Sequence, residues 1–307
     1  MSRSSRANLI ITRAGRNSLH REWIADPRQQ NFDLLVAAYD PTIMNSNEEG
    51  VSYRYVPGPK IRGWMELFRE DATLLDQYEQ IALIDDDIQA KSADLSRCFD
   101  VGTEFALLLW QPSLTSDSYA SYGATLRNNN FRLRFVNFIE MMCPFFSSAF
   151  LRHLLPTFEL GLESGIDLIW CSISDEKARS FAIVDEISVK HIRPVGQQKA
   201  MNGFLDRNYE TDIRACLELF STGWPSCVAS SGVNKRGDVV EPQFKVSIRT
   251  LSQIWNVALA PRGHRKDHLR CVLDHIRHQM TRKPAYVLDA RSKLLEIVKA
   301  RSKLHLR

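Results

Sequence analysis

Ile81-Ala82-Leu83-Ile84-Asp85-Asp86-Asp87 carries an apolar run straight into three adjacent carboxylates. A run of that length fits a buried strand. A strand ending in acids delivers them to its carboxyl end, where open α/β sheets bind ligands. Adjacent carboxylates repel one another. A divalent cation relieves that repulsion, and Mg²⁺ and Mn²⁺ favour carboxylate oxygens and bridge to phosphates. Alternate residues of an extended segment point the same way. Asp85 and Asp87 are therefore expected to face one ion, with Asp86 turned into the protein. The competing reading is a solvated acidic turn.

Upstream, Asn8 to Thr12 and Phe32 to Tyr39 read as buried strands, and Val51 to Val56 as a third, edge strand. Pro57-Gly58-Pro59 is a break, and Trp64 to Tyr78 has helical spacing. Downstream, the pattern predicts a helix over Leu95 to Val101 and a strand over Phe105 to Trp110 that stops at Gln111-Pro112. Phe131 to Met142 fits either strand or helix. Ser147 can cap a helix reaching Phe158. Phe181 to Asp185 is a late strand, with Val189-Lys190-His191 leading into a loop. Alternating strands and helices argue for an α/β fold with a mainly parallel sheet. Past Gly203 the character becomes helical, over Tyr209 to Phe220, Val246 to Leu259, Lys266 to Met280 and Leu288 to Leu304. Ser221 to Pro242 reads as a loop.

The 307 residues suit one large domain or two smaller ones, and 44% hydrophobic with 25% charged residues is the balance of a soluble globular protein. A net charge of +4 gives no argument for nucleic acid. No CxxC pair occurs among the six cysteines, whose closest spacing is eleven residues. No stretch reaches the roughly 20 apolar residues of a membrane span. A reducing cytoplasm is the expected location. The last helix carries Leu294, Leu295, Ile297, Val298 and Leu304 beside Arg291, Lys293, Lys299, Arg301 and Lys303. Such a helix either packs on its own domain or makes peripheral contact with an anionic membrane.

Several segments in order carry a family resemblance. They are Asn8 to His20, Asp85-Asp86-Asp87-Ile88, Gln111-Pro112-Ser113-Leu114-Thr115 with Asp117-Ser118-Tyr119, Phe135 to Pro144, Ser164 to Trp170, and His191-Ile192-Arg193-Pro194-Val195-Gly196. Together they resemble an uncharacterised bacterial and plant domain family related to glycosyltransferases of the GT-A fold. The resemblance covers roughly Asn8 to Gly196. It implies a Rossmann-like GT-A domain over residues 1–203, followed by a mainly helical extension over 204–307.

The resemblance implies a nucleotide-sugar donor, a glycan or small-molecule hydroxyl acceptor, and Mn²⁺ or Mg²⁺ on the diphosphate. Asp85 and Asp87 become metal-side acids, joined by His191; the plain alternative for His191 is a loop histidine bonded to backbone. Asp167 matches the acid that takes the acceptor proton, and the alternative is a helix cap. The family's Gly-Trp-Gly type lead before that acid is replaced here by Ser164-Gly165-Ile166. Thr12, Arg13 and Asn17 follow the first strand, Asp40 ends the second, and Lys60 follows the third, all where a nucleotide would lie. Asp86, Gln111, Asn137 and Glu140 complete the substrate-side candidates, with a structural hydrogen-bond network as the rival reading for Asn137 and Glu140. Trp110, Trp170 and Tyr119 are candidates for ring stacking. Two rival functions remain: a nucleotidyl or phosphoryl transferase, which needs a second acid cluster, and a catalytically degenerate binding or interaction module.

Overall fold

A strand buried on both faces has no polar side to show, so it reads as an unbroken apolar run. Asn8–Ala14 (β1), Phe32–Ala38 (β2) and Gln80–Asp85 (β4) are such strands, and Val51–Tyr55 (β3) is the half-exposed edge. The computed structural model describes residues 6–44, 48, 50–194, 209–260 and 265–305. The remaining strands are Ile88–Gln89 (β5), Leu109–Leu114 (β6), Phe131–Val136 (β7), Phe145–Ser147 (β8), Phe181–His191 (β9), Ala229–Asn234 (β10) and Val239–Val240 (β11).

The strands form one sheet in the order β11-β10-β7-β9-β6-β8-β4-β1-β2-β3, with β5 paired to β9 off that path. β1, β2, β3, β4, β6, β9 and β10 run one way, and β7, β8 and β11 the other. The result is an α/β fold with a mixed, mainly parallel sheet flanked by helices, as the sequence pattern implied.

The period of two along each strand sorts side chains onto two cores. Ile81 and Leu83 of β4, with Leu9 and Ile11 of β1, join one core with Trp64 and Phe68 of the helix Lys60–Glu70. Ala82 and Ile84, with Ile10 of β1, join the other, against Leu95, Cys98 and Phe99 of the helix Ser92–Glu104. Arg13 and Asp85 are paired in register at the ends of β1 and β4. Both continue the odd-numbered face and therefore meet the helix that starts at Lys60.

Several sequence expectations change. The helical stretch from Trp64 to Tyr78 is two helices, Lys60–Glu70 and Leu74–Gln77. The strand expected over Phe105 to Trp110 starts at Leu109 and runs through Gln111-Pro112 to Leu114. Proline is tolerated there because β8 pairs only with Leu109 and Trp110, and β9 breaks register with β6 between Pro112 and Ser113. The loop expected over Ser221 to Pro242 contains β10 and β11, and β10 extends the sheet beyond β7. Its Gly232 is a close approach and not a breaker: a Cβ there would lie 2.8 Å from the Phe131 ring.

The later helices Tyr209–Leu219, Arg265–Thr281 and Ala290–His305 form where the pattern placed them. The stretch from Val246 to Leu259 is two helices, Gln243–Thr250 and Ile254–Leu259, joined by a 3₁₀ turn at Leu251–Gln253. The last helix packs on its own protein, with Leu294 fully buried in the main core. Among the described residues, no helix is long and apolar enough to cross a membrane. The six cysteines are unpaired. The domain boundary expected at 203/204 lies outside the described residues.

At the junction of β7 and β9, Arg134 meets Asp185 at 2.7 and 3.0 Å with both side chains essentially buried. Asp185 also accepts from the Asn128 N–H at 2.7 Å. Removing one partner strands a charge in the interior, which typically costs about 3–5 kcal/mol, whereas an exposed pair contributes at most about 1 kcal/mol. Asp185→Ala is expected to lower urea-unfolding stability by about 3–5 kcal/mol. Arg152→Ala, which breaks the exposed pair with Asp76, should change it by less than about 1 kcal/mol.

Candidate active site

β4 ends at Asp85, and Asp86-Asp87 form a two-residue turn into β5. β5 pairs antiparallel with the end of β9, setting Ile88 opposite His191. This pairing folds the late strand back over the acids. His191 Nε2 lies 3.3 Å from Asp87 Oδ2, and both side chains are nearly buried. His191 Nδ1 lies 2.9 Å from the Tyr119 carbonyl oxygen. A carbonyl can only accept, so Nδ1 carries a proton; Nε2 donates to Asp87 in the imidazolium form and presents its lone pair on that side only when the ring is neutral. Burial pushes the His191 pKa down, but the hydrogen bond and charge of Asp87 outweigh it, and the net shift is upward.

The three acids have separate surroundings. Asp86 is buried, accepting from the Gly15 N–H at 3.1 Å and the Tyr39 hydroxyl at 3.3 Å. It thereby holds the loop after β1 against the end of β4. Asp85 is ion-paired to Lys60 Nζ at 2.5 Å. Loss of water pushes its pKa up to about 6; Lys60 opposes that shift and the Asp87 charge adds to it. Asp87 Oδ1 is buried with no hydrogen-bond partner among the described residues.

Two carboxylates and an imidazole are a suitable donor set for Mn²⁺ or Mg²⁺. The unsatisfied Asp87 Oδ1 and the backbone-held His191 tautomer both fit a bound cation. The gathering is incomplete, however. Among the described residues, no group of three or more His, Cys, Asp or Glu side chains converges as a metal cage. Asp85 would have to release Lys60 to join the other two.

Across from this cluster lie two more acids. Asp167 sits in a 3₁₀ turn, Ile166–Ile169, entered through Gly165 at φ +81°. A Cβ on Gly165 would come within 2.9 Å of the Ile213 backbone. Asp167 is buried and accepts from the Met141 N–H at 3.1 Å. Burial lifts its pKa to about 6. Glu140 is 7% exposed, with Oε2 unpartnered among the described residues. Burial, with help from the Asp167 charge, lifts its pKa to about 8. Gln111 fixes this segment, its Oε1 accepting from the Glu140 N–H at 2.7 Å. At neutral pH Asp167 is thus mostly ionised and Glu140 mostly protonated, two acids set apart by their surroundings.

Other candidates take different places. Arg13 is buried and donates to the carbonyls of Ala37 (3.2 Å), Val56 (2.6 Å) and Gly58 (2.6 Å). It clamps the ends of β2 and β3, and burial lowers its pKa to about 10. Asn137 contacts Ser226, Val228 and Ala285, so it ties the sheet to the carboxyl-terminal region. Asp40 caps the turn Pro41–Ile43 through the Thr42 N–H and hydroxyl. Asn17 is exposed, and its carbonyl accepts from Arg193. Thr12 is buried with Oγ1 unpartnered. Trp110 and Trp170 are fully buried, bonded through Nε1 to the Cys98 carbonyl and the Thr157 hydroxyl, and offer no stacking face. Aromatic surface comes instead from residues the pattern did not single out. Tyr122 packs against Phe138 and Trp224. Tyr209 hydrogen-bonds Tyr122, and burial, with a smaller contribution from the charges of Asp167 and Glu140, raises the pKa of both phenols.

Glu163 was also missed. The helix Lys60–Glu70 begins after Pro59 with no side-chain cap of its own. Glu163 supplies one from afar, accepting from the N–H groups of Ile61 (2.8 Å) and Arg62 (3.1 Å). The available signal was a helix start lacking Ser, Thr, Asp or Asn, which needs an outside acceptor.

The fold matches solved structures. One is a crystal structure of GalNAc-T7 with UDP, GalNAc and Mn²⁺, at TM-score 0.50 and 10% identity, covering 70% of this chain and 48% of that one. Another is residues 1–349 of S. aureus TarS, at TM-score 0.41 and 11% identity, covering 96% and 92%. No family model matches the sequence, and no curated protein does. The chain spans about half the length of the GalNAc-T7 chain. At this identity the likeness is one of fold, and in fold the chain resembles GT-A glycosyltransferases.

Glu163→Ala should lower stability by about 1–3 kcal/mol, the cost of leaving buried donors unsatisfied. Glu163→Gln, which keeps one acceptor oxygen, should lose less. Equal losses for the two variants in urea unfolding would remove the capping role.

Proposed function

We propose that this chain is a metal-dependent glycosyltransferase that moves a sugar from a nucleotide-sugar donor to a hydroxyl acceptor. The observation that carries the proposal is the closure of β5 on β9. It brings His191 Nε2 to Asp87 beside Asp85 and Lys60, at the carboxyl ends of β4 and β1. In the reading favoured here, Asp85, Asp87 and His191 hold a Mn²⁺ or Mg²⁺ ion. Such an ion, when bound, neutralises charge on the departing nucleoside diphosphate. GalNAc-T7 was solved with UDP and Mn²⁺, and a donor and ion of that kind are carried over to this chain as part of the proposal.

Lys60 leaves Asp85 for a donor phosphate, adding a positive charge where negative charge accumulates. Thr12 and the loop held by Asp86 border the nucleotide, with Asn17 and Asp40 at its rim. Asp167, ionised above about pH 6, takes the proton of the acceptor hydroxyl. Glu140 keeps its own proton up to about pH 8 and so donates a hydrogen bond to the acceptor or to Asp167. The acceptor is a glycan or a small molecule, resting against Tyr122 and Trp224, whose faces suit a sugar ring.

A second reading is favoured by the Lys60–Asp85 pair, in which an ammonium already neutralises one acid. It describes a GT-A-like binding module that holds a nucleotide without a metal and without transfer. Titration calorimetry with UDP separates the two. The enzyme reading expects binding that depends on Mn²⁺ and is lost in Asp87→Ala. The module reading expects binding indifferent to both.

For turnover, Asp167→Asn should keep donor binding while lowering transfer or donor hydrolysis by roughly 10²–10⁴-fold, the usual worth of a positioned base. The native rate should rise with pH through about 6 as Asp167 loses its proton. A variant with undiminished turnover would remove Asp167 from the reaction.

A further inference from the structure

Residues 243–283 hold nine Lys or Arg against two Asp or Glu, a net +7, while the whole chain carries only +4. The rest of the protein is therefore net negative. The same segment exposes bulky apolar side chains. Phe244 is 67% exposed and Trp255 72%, with Ile248 and Leu251 exposed between them. Their spacing of four, three and four residues sets them along one side of the helices Gln243–Thr250 and Ile254–Leu259. The opposite side is buried through Val246, Thr250 and Gln253. On the adjoining helix Arg265–Thr281, exposed Lys266, Leu269, Arg270, Leu273 and Met280 share the outward face, while Val272, His275 and Gln279 are buried. The helices Ile254–Leu259 and Arg265–Thr281 pack against each other, so the two faces adjoin.

We propose that this surface, formed by the helices Gln243–Thr250, Ile254–Leu259 and Arg265–Thr281, docks on an anionic lipid bilayer. An apolar ridge with Trp and Phe among basic residues buries its rings at the acyl boundary and places its cations among headgroup charges. A second copy is disfavoured by chemistry, because two such faces meeting would oppose like charges. Nucleic acid would use the cations and leave the ridge in water. The surface is distinct from the last helix, whose Leu294 faces the core. The helix Arg265–Thr281 also presses on Gly123, where a Cβ would lie 2.2 Å from the Cys271 carbonyl oxygen. Tyr122 of the active site is the next residue, so docking would hold the acceptor side near the bilayer.

The test is flotation of the full chain with vesicles of phosphatidylcholine alone and of phosphatidylcholine mixed equally with phosphatidylglycerol. Binding is expected only to the anionic vesicles and should weaken with added salt. Phe244→Ser combined with Trp255→Ser, and Lys266→Glu combined with Arg270→Glu, should each lower binding on the order of tenfold or more. Both should unfold at the native temperature, because these side chains point to solvent. Mn²⁺-dependent UDP binding by the same variants should be unchanged, which keeps this proposal separable from the one on function. Several outcomes would overturn it. One is no vesicle binding by the native chain, and another is equal binding to neutral vesicles. A third is binding insensitive to both double variants. The last is a dimer in light scattering that the Phe244/Trp255 variant dissolves while lipid goes unbound.

Discussion

The site depends on one short ladder, the pairing of Ile88 with His191 and Gln89 with Lys190. β4 ends in acids that repel one another, and the chain turns at once through Asp86 and Asp87 into β5. Without β9 to receive it, that turn would be an acidic tip in solvent. With it, Asp87 lies against an imidazole more than a hundred residues later in the chain. Asp86 accepts from the Gly15 N–H and anchors the loop after β1. β9 shifts register against β6 between Val184 and Ser188, resumes pairing at Ser188 and Val189, and then meets β5 at Lys190 and His191.

Around that ladder the protein keeps ionisable groups in opposed environments. Asp86 has donors for its charge, whereas Asp87 Oδ1, Glu140 Oε2 and Thr12 Oγ1 are buried without partners among the described residues. Unsatisfied buried acceptors cost stability, so each of these atoms calls for a water, an ion or a functional role to account for it. Glu163, Gly165 and Asn137 then tie the site to the helix Tyr209–Leu219 and to the strand and loop beyond it. Glu163 does so through its own N–H, which donates to Asp212 at 2.8 Å. The carboxyl-terminal region is in this way part of the wall behind the acids.

Much of the strand layout was legible because β1, β2 and β4 are buried on both faces, which leaves a mark in composition. Strand alternation stops at Asp85, because Asp86 and Asp87 form a turn and are both buried. What was not legible depends on tertiary context. Gln111-Pro112 looked like a stop and is mid-strand, because proline is tolerated where neighbouring ladders lapse. Gly232 looked like a loop residue and marks close packing on Phe131. Arg13 sat where a phosphate ligand would be expected, yet its donors go to three backbone carbonyls. Trp110 and Trp170 had the chemistry of sugar platforms but are sealed in the core. Tyr122, Tyr209 and Trp224, spread over the chain, assemble their surface only in three dimensions.

On the proposed function, the Asp87–His191 contact is one side of a cation site that Lys60 vacates on donor binding. A crystal of this protein soaked with Mn²⁺ and UDP, measured for anomalous scattering from manganese, tests it most directly. One manganese peak is expected, bonded to Asp87 and His191 Nε2, with Asp85 turned toward it and Lys60 moved to a phosphate oxygen. A nucleotide bound with the Lys60–Asp85 pair intact and no manganese beside Asp87 would contradict it.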